Sequence, residues 1–168
     1  VIYASNTVCN QFNGNLKGEC QFMLAIKMIS RIKQDQKQVV EDTLNLCSLI
    51  EDYRWRSECY YLIADELSFI GDRDLFPQMI NACRNSNDAR NFQCISHVAF
   101  NLNIEDIKFY CDLVSQKEKK ECINGFGHTL ITKGFTIPNA INQCNSFEKN
   151  EEQDFCMFGI LWGQKNST

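Results

Sequence analysis

The chain has 168 residues, of which 44% are hydrophobic and 23% are charged, a composition typical of one soluble globular domain. Its formal net charge is -4, with acidic and basic residues interspersed, which argues against a nucleic-acid partner because such partners select a basic surface. No apolar run approaches the roughly 18 residues that a membrane-spanning helix needs. We therefore expect residues 1–168 to form a single domain without a transmembrane segment.

Cysteine is the unusual component of this composition. The ten cysteines include no Cys-x-x-Cys pair, so the common zinc-binding, thioredoxin-like and haem-attachment spacings are absent. We expect no cofactor and five disulfides, which form and persist in an oxidising compartment. The chain begins at Val1 without a charged and then apolar leader. We therefore expect a mature chain outside the cytoplasm (periplasmic, cell-surface or secreted) whose signal peptide or lipoprotein anchor has been removed or left out.

The cysteines fall into five consecutive pairs with ten or eleven residues between the two members. The pairs are Cys9 and Cys20, Cys47 and Cys59, Cys83 and Cys94, Cys111 and Cys122, and Cys144 and Cys156. Equivalent cysteines recur every 28 to 39 residues, which is the range of helical-hairpin repeats. The spacing therefore divides the chain into five similar units.

The residues around each pair predict two helices per unit. Apolar residues lie seven residues, and again three or four residues, before the first cysteine of the last four pairs, which is helical spacing with one apolar face. After the second cysteine, most units have an apolar, a small and an apolar residue at positions four, five and eight, as in Ile63, Ala64 and Leu67. This stripe predicts a second helix that crosses a neighbour closely. Leu161 replaces the small residue in the last unit, as in a capping repeat.

The two prolines support these boundaries. Pro77 and Pro138 both lie six residues before a first cysteine, where other units have Glu41 or Glu105. Proline and acidic residues are typical of a first helical turn. No segment has the alternating pattern of a strand. The predicted helices lie near residues 17–33, 39–50, 55–70, 75–83, 88–102, 104–114, 118–133, 138–145 and 151–163, with a poorly helix-forming segment around 1–9.

We predict an all-α fold, a solenoid of about five antiparallel helical hairpins that are each stapled by a disulfide. The end of the first helix and the start of the second are close in a hairpin, so we expect the five consecutive cysteine pairs to be the bonded pairs. A competing pattern links a cysteine of one repeat to the next repeat. The first helices are short and marginal alone, and closing a loop of about a dozen residues offsets this weakness by roughly 3 kcal/mol.

This repeat resembles the α-hairpin solenoid class and is similar in outline to tetratricopeptide and Sel1-like repeats. The segment RSECYYLIADEL (56–67) and its equivalents resemble disulfide-stapled hairpin repeats of secreted and envelope-associated microbial proteins. The resemblance covers residues 15–163 and consists of the paired cysteines and the small residue five positions on. It implies a binding scaffold, and it carries over no catalytic residue.

The two histidines of the chain, His97 and His128, are candidate metal ligands. A metal site would need both, with a carboxylate such as Asp65 or Glu66 from a neighbouring helix. Their spacing matches no zinc motif, and ordinary helix-face or core histidines are the alternative. The nearby run Gly125-Phe126-Gly127-His128 lies inside a predicted helix, so we interpret its glycines as a close approach of two helices and not as a phosphate-binding loop.

No other arrangement predicts catalysis or ion binding. Asp72 and Asp74 lack the remaining ligands of a calcium loop, and they suit a helix stop and an N-cap. A Cys–His nucleophilic site needs a free thiol, which five disulfides do not leave. We therefore expect a protein that is not an enzyme and has no catalytic residue.

The densest cluster of aromatic and arginine residues comprises Tyr53, Arg54, Trp55 and Arg56, with Tyr60 and Tyr61. Its predicted partner-binding residues are Tyr53, Trp55, Arg56, Tyr60 and Tyr61. These residue types are enriched in interface hot spots, and the cluster begins at a predicted loop where side chains are exposed. We predict a partner-binding site here. Local packing against the following helix is the alternative interpretation.

The leading functional hypothesis is a non-enzymatic, extracytoplasmic helical-repeat scaffold that binds protein or peptide partners, because stacked hairpins offer an extended surface. Such a protein would serve as an accessory or structural subunit of an envelope or extracellular assembly. The alternative hypothesis is a small-ligand or metal-binding carrier that uses a cleft near His97 and His128.

Reduction tests the structural role of the paired cysteines. We expect the melting temperature to fall when the bonds are opened, because each bond removes loop-closure entropy from the unfolded chain. Circular dichroism melts with and without reductant give the measurement, and a thiol titration verifies that all ten cysteines are reduced. An unchanged melting temperature in the fully reduced protein would contradict this role.

Overall fold

The computed structural model describes residues 7–29, 36–86 and 88–165. This part of the chain contains helices and no strand, which confirms the all-α prediction. Residues 7–9 are helical, and a short 3-10 helix covers Arg73–Leu75. The further helices of the described residues are α1 (Asn15–Ile29), α2 (Gln36–Ser48), α3 (Tyr53–Ile70), α4 (Phe76–Asn85), α5 (Asp88–Asn101), α6 (Ile104–Leu113), α7 (Gln116–Thr132), α8 (Ile137–Cys144) and α9 (Asn150–Lys165).

Three of the four residues that were predicted to lie in a first helical turn do so. Pro77, Pro138 and Glu105 lie in the first turns of their helices, as predicted. Helix α2 begins at Gln36 and not at residue 39, so Glu41 lies in its interior. The predicted extension of α1 to residue 33, and most of the segment around 1–9, lie outside the described residues.

Five disulfides join the cysteines within each unit, as predicted, and the pairing between units is excluded. They are Cys9–Cys20, Cys47–Cys59, Cys83–Cys94, Cys111–Cys122 and Cys144–Cys156. The bonded residues have Cα atoms 5.4 to 5.6 Å apart. No cysteine is free, so the chain has no thiol for a Cys–His nucleophilic site.

The helices alternate between short helices, α2, α4, α6 and α8, and long helices, α1, α3, α5, α7 and α9. Each short helix contacts the long helix to which its disulfide joins it. Each long helix also contacts the next long helix along the chain. We call this series of contacting helices the long-helix row.

The predicted apolar positions form most of the core. Ile63 and Leu67 in α3, and Phe126 and Leu130 in α7, are fully buried four and eight residues after a cysteine. Ile137 differs from its equivalents in other units because it is exposed at the first residue of α8. The repeated stripe after the second cysteine therefore points inward in these units.

Glycines allow α7 and α9 to cross at very short range. A Cβ atom on Gly127 would overlap the carbonyl oxygen of Cys156, and one on Gly159 would overlap the carbonyl oxygen of Asn124. Gly125 faces the Ser96 carbonyl of α5 in the same way. The interpretation of the glycine run as a close approach of helices is confirmed.

The connection after α3 contains the helix stop and the N-cap that were predicted around Asp72 and Asp74. Gly71 ends α3 with a positive φ of 68°, a conformation that favours glycine. The Asp72 side chain accepts a hydrogen bond of 3.0 Å from the backbone nitrogen of Asp74. The two aspartates thus belong to a helix stop and an N-cap.

A buried carboxylate joins α4 to the start of α7. Glu118 is 4% exposed, and its oxygens accept hydrogen bonds of 3.0 and 2.8 Å from Arg84. The backbone and hydroxyl of Ser115 donate to the same carboxylate at 2.8 and 2.7 Å. Hydrogen bonds from Arg84 and then Ser115 outweigh burial and lower the pKa of Glu118 to about 2. Glu118 therefore stays ionised at neutral pH.

The Gly127→Ala substitution tests the helix crossing. Alanine usually stabilises a helix by about 1 kcal/mol relative to glycine, but here its methyl group would overlap the backbone of α9. We expect a loss of about 2 kcal/mol in the free energy of unfolding, measured by urea denaturation. Asn142→Ala, at an exposed position of α8, is the control and should not destabilise the protein. A Gly127→Ala protein as stable as the wild type would contradict the crossing.

The Glu118→Gln substitution tests the buried ion pair. Because the folded pKa of about 2 lies below the ordinary 4.5, ionised Glu118 stabilises the fold above pH 4.5 by roughly 3 kcal/mol. This contribution is lost as the pH falls from 4.5 towards 2. Urea denaturation should therefore show a large deficit for Glu118→Gln at pH 7 that shrinks in acid. Glu19→Gln, at an exposed position of α1, should follow the wild type; an equal deficit in both variants would contradict this account.

Candidate functional site

The predicted aromatic–arginine cluster does not form one surface. Its first residues lie in the first turn of α3, which begins at Tyr53, and not in a loop as predicted. Tyr53 is exposed, and with Trp55 it lines a pocket of about 370 Å³. Arg90 and Glu58, which form an ion pair, lie in the same pocket. Of the five predicted partner-binding residues, Tyr53 and Trp55 line this pocket.

Trp55 and Arg56 make internal contacts. The indole nitrogen of Trp55 donates to the Asn15 side chain at 2.9 Å, and its ring centroid lies 5.0 Å from that of Phe22. Arg56 donates to the backbone carbonyl of Ile50 at 3.3 Å. Trp55 thus ties α3 to α1, and Arg56 ties α3 to the connection before it.

Tyr60 and Tyr61 are adjacent in sequence but lie in different environments. Tyr60 is 7% exposed and belongs to the core, where burial raises the pKa of its phenol. Tyr61 is half-buried and lines a larger groove. Tyr61 is therefore the residue of the predicted cluster that lines the groove.

This groove, of about 720 Å³, runs over four helices of the long-helix row, α3, α5, α7 and α9. Both histidines of the chain line it. We call it the aromatic groove, and its ring-bearing residues are Tyr61, Phe92, His97, Phe100, His128, Phe158 and Trp162.

Four of these rings form a continuous stack across three helices. The centroids of Tyr61 and His97 are 5.5 Å apart, those of His97 and Phe100 are 6.3 Å apart, and those of Phe100 and His128 are 5.1 Å apart. The angles between successive ring planes are 28°, 22° and 30°. We call this series of rings the ring stack. All four rings are carried by helices, so the stack presents its aromatic surface without any loop residue.

Asp65 fixes the orientation of one ring in the stack. Its carboxylate lies 2.8 Å from Nε2 of His97, and the Asn101 amide donates to the same oxygen at 2.8 Å. The Asn101 amide nitrogen also lies 2.9 Å from the Ser68 hydroxyl oxygen. These contacts join α3 to α5 beneath the groove and hold the imidazole of His97 against Tyr61.

The environment favours neutral forms at both ends of the ring stack. Burial lowers the pKa of His128, which favours its neutral imidazole. Burial raises the pKa of Tyr61, and the negative charges of Asp65 and Glu58 raise it further. The phenol and the imidazole are therefore available as uncharged hydrogen-bonding groups.

The α9 side of the groove presents exposed aromatic surface. Phe158 is 55% exposed and Trp162 is 53% exposed. The polar side chains that line the groove carry amides, a hydroxyl and one charge of each sign, from Gln93, Ser96, Asn124, Lys120 and Glu121. This lining suits a ligand with apolar side chains and neutral hydrogen-bonding groups.

The structure places both histidines in one groove, but Phe100 stacks on both of their rings. Among the described residues, no three His, Cys, Asp or Glu side chains are grouped so that they could hold a metal ion. The arrangement therefore offers ring surface and hydrogen bonds for binding.

Sequence reasoning missed Phe100, Phe158 and Trp162. Phe100 and Trp162 lie six residues after the second cysteine of their units, in the same position as His128. Phe158 lies two residues after its cysteine, as Tyr61 does. Positions two and six are one helical turn apart on one face, so the aromatic residues at these two positions are the signal that the sequence offered.

The fold and the groove define an all-α protein of disulfide-closed helix pairs with aromatic surface along its long helices. Comparison with protein-family models, curated proteins and solved structures finds no match. No family model or homologue therefore supports the resemblance to tetratricopeptide and Sel1-like repeats. Over the described ranges, every helix is too short or too polar to cross a membrane.

Proposed function

We propose that this protein is a non-enzymatic helical-repeat scaffold that binds an extended segment of a protein partner in the aromatic groove. In this proposal the five disulfide-closed helix pairs stack as a solenoid, and the long-helix row forms its binding face. The observation that carries the proposal is the ring stack with exposed Phe158 and Trp162 beside it.

The contacts within the ring stack favour binding over a purely structural role. Ordered rings lose little conformational freedom when a partner binds, and such preorganisation raises affinity. Asp65 supplies this order by holding His97. Aromatic side chains also contribute large contact areas and are enriched at interface hot spots.

A peptide suits the shape and polarity of the groove. The groove crosses four helices, which is typical of the extended surfaces that helical repeats use. Its amide side chains, such as Gln93 and Asn124, match backbone groups of an extended chain, and its rings match apolar side chains. Lys120 and Glu121 balance each other in charge, so we expect a partner segment without strong net charge.

We place this function outside the cytoplasm, in the periplasm, at the cell surface or in the secreted fraction. Five disulfides in one chain support this proposal, because cytosolic thiols are kept reduced. A chain in which every cysteine is in a disulfide suits an accessory or structural subunit of an envelope or extracellular assembly. Such a subunit must stay folded for a long time.

Small-ligand binding is a second candidate function. The groove volume of about 720 Å³ falls within the range of roughly 300–1,000 Å³ for ligand pockets, and His97 and His128 both line the groove. Mass spectrometry and elemental analysis of protein purified without denaturation test this candidate. A stoichiometric organic ligand or metal that is lost in a His97→Ala/His128→Ala variant would favour it over peptide binding.

Peptide selection tests the leading proposal. A phage-displayed library of random peptides is panned against the folded protein, and the selected peptides are measured by calorimetry. We expect Trp162→Ala to weaken their binding at least about tenfold, because removal of an exposed aromatic anchor costs more than about 1.4 kcal/mol. Phe69→Ala removes an aromatic ring of similar exposure from α3, outside the groove.

The Phe69→Ala control should bind the selected peptides as the wild type does. Circular dichroism must show equal helix content in both variants. Equal affinity of the wild type and Trp162→Ala for every selected peptide would refute binding in the groove, and so would a library that yields no binder.

A further inference from the structure

A second cavity lies beside the aromatic groove at its α3 end. It is the pocket of about 370 Å³ that Tyr53 and Trp55 line. Arg54, Glu58 and Arg90 line it as well, and we call it the arginine pocket. Two positive charges and one negative charge line this pocket, whereas one charge of each sign lines the groove. The two cavities therefore differ in the chemistry that they offer to a ligand.

The arginine pocket and the aromatic groove are adjacent along two helices. Glu58 lines the pocket, and Tyr61, three residues further on in α3, lines the groove. Arg90 and Gln93 have the same relation in α5, and residues three apart lie on the same side of a helix. Burial raises the pKa of the Tyr61 phenol, the charge of Glu58 raises it further, and the charge of Arg90 lowers it. A chain that lies in the groove and passes Tyr61 therefore enters the pocket.

Arg54 is held in one orientation although its side chain is 63% exposed. The Asp52 carboxylate accepts hydrogen bonds from Nε of Arg54 at 3.5 Å and from Nη2 at 3.3 Å. Nη2 also donates to the Asn15 side chain at 3.2 Å, and the indole nitrogen of Trp55 donates to the same oxygen. Among the described residues, these contacts use Nε and Nη2 of the guanidinium group and not Nη1.

Arg90 lines the same pocket from α5, with 43% of its side chain exposed. Its Nη1 atom forms an ion pair with Glu58, which joins α5 to α3. A guanidinium group carries five N–H donors in a planar fork, so a single carboxylate does not use them all. Two oriented and partly exposed guanidinium groups in one cavity suit a further carboxylate.

The exposure of the pocket favours a side-chain carboxylate over the end of a chain. Tyr53 is 61% exposed, and the neighbouring Arg54 is exposed to a similar extent. A bound chain can therefore continue past the pocket through solvent. A peptide that lies in the groove supplies a carboxylate at such a position as aspartate or glutamate.

We propose that the arginine pocket binds an aspartate or glutamate side chain of the same partner segment that occupies the aromatic groove. This inference rests on the proposed peptide binding and adds a charged anchor to it. One carboxylate beside the groove is compatible with a segment that has no strong net charge.

The separation of the two cavities predicts where the acidic residue lies in the partner. Neighbouring helices pack roughly 8–10 Å apart, so the three intervals of the long-helix row from α9 to α3 span about 24–30 Å. An extended chain covers this length in about eight residues. We therefore expect the acidic residue about eight positions from the residue that contacts Trp162.

Selection from a phage-displayed library of random peptides of about twelve residues, long enough to span both cavities, tests this pocket. We expect the selected sequences to share one aspartate or glutamate. Selected peptides are then synthesised with C-terminal amides, which exclude a contribution from the chain end. In calorimetry, changing the shared acidic residue to its amide should weaken binding about fivefold, the order expected for a partly exposed ion pair.

Variants of the ion pair separate a binding role of Arg90 from a structural role. Arg90→Gln should weaken the acidic peptide about fivefold and leave binding of its amide form unchanged, and Arg54→Gln should act in the same direction. Glu58→Gln breaks the same ion pair but removes a competing negative charge, so it should bind the acidic peptide at least as tightly as the wild type does. Arg73→Gln is the matched control, because Arg73 is 52% exposed and pairs with Asp106 outside both cavities.

Trp162→Ala distinguishes failure of this inference from failure of the groove proposal. It should weaken the acidic peptide and its amide form by the same factor, because it removes a groove contact and leaves the pocket intact. Peptides that lose affinity for Trp162→Ala but bind equally well in both forms would refute the arginine pocket alone. A library that yields no binder would refute both proposals. Equal weakening by Glu58→Gln and Arg90→Gln would show that the ion pair only joins α3 to α5, and would overturn the inference.

Discussion

The disulfide between the end of one helix and the start of the next is the constraint on which this structure depends. The bonded Cα atoms lie 5.4 to 5.6 Å apart in all five units, so each long helix leaves its bridge from an equivalent position. Repetition of this geometry brings successive long helices side by side, where small residues such as Ala99 and Gly127 permit close contact. The aromatic groove follows from this contact, because its rings come from four neighbouring long helices.

The helices could be predicted from the sequence because the signals that define them are local. Cysteine spacing, apolar periodicity and the two prolines each act within a few turns of one helix. The start of α3 was placed too late because the cap was overlooked: Asp52 accepts a hydrogen bond of 2.9 Å from the backbone nitrogen of Arg54, which starts the helix at Tyr53. The capping box of Ser115 and Glu118 is a similar signal, and it accounts for the early start of α7.

The groove could not be predicted in the same way because it depends on how the helices are rotated against each other. Tyr60 and Tyr61 are neighbours in sequence, yet about 100° of helical rotation sends one into the core and the other into the groove. His97 contacts Asp65 and Tyr61 of the preceding unit. The residue pattern within one unit does not predict these contacts between units. Both histidines line one groove, and the phenylalanine between them in the stack was missed.

The position of the disulfides also determines what a protease can do to this chain. Each bridge closes a covalent ring that contains the connection between a short helix and the long helix after it. A cut inside such a ring, for example near residues 145–149, leaves both fragments bonded through the bridge. A cut between rings, as at residues 102–103 or 133–136, separates two pieces that only packing holds together. The connections inside the five rings are thus protected by topology, and resistance to proteolysis depends on the links between the rings.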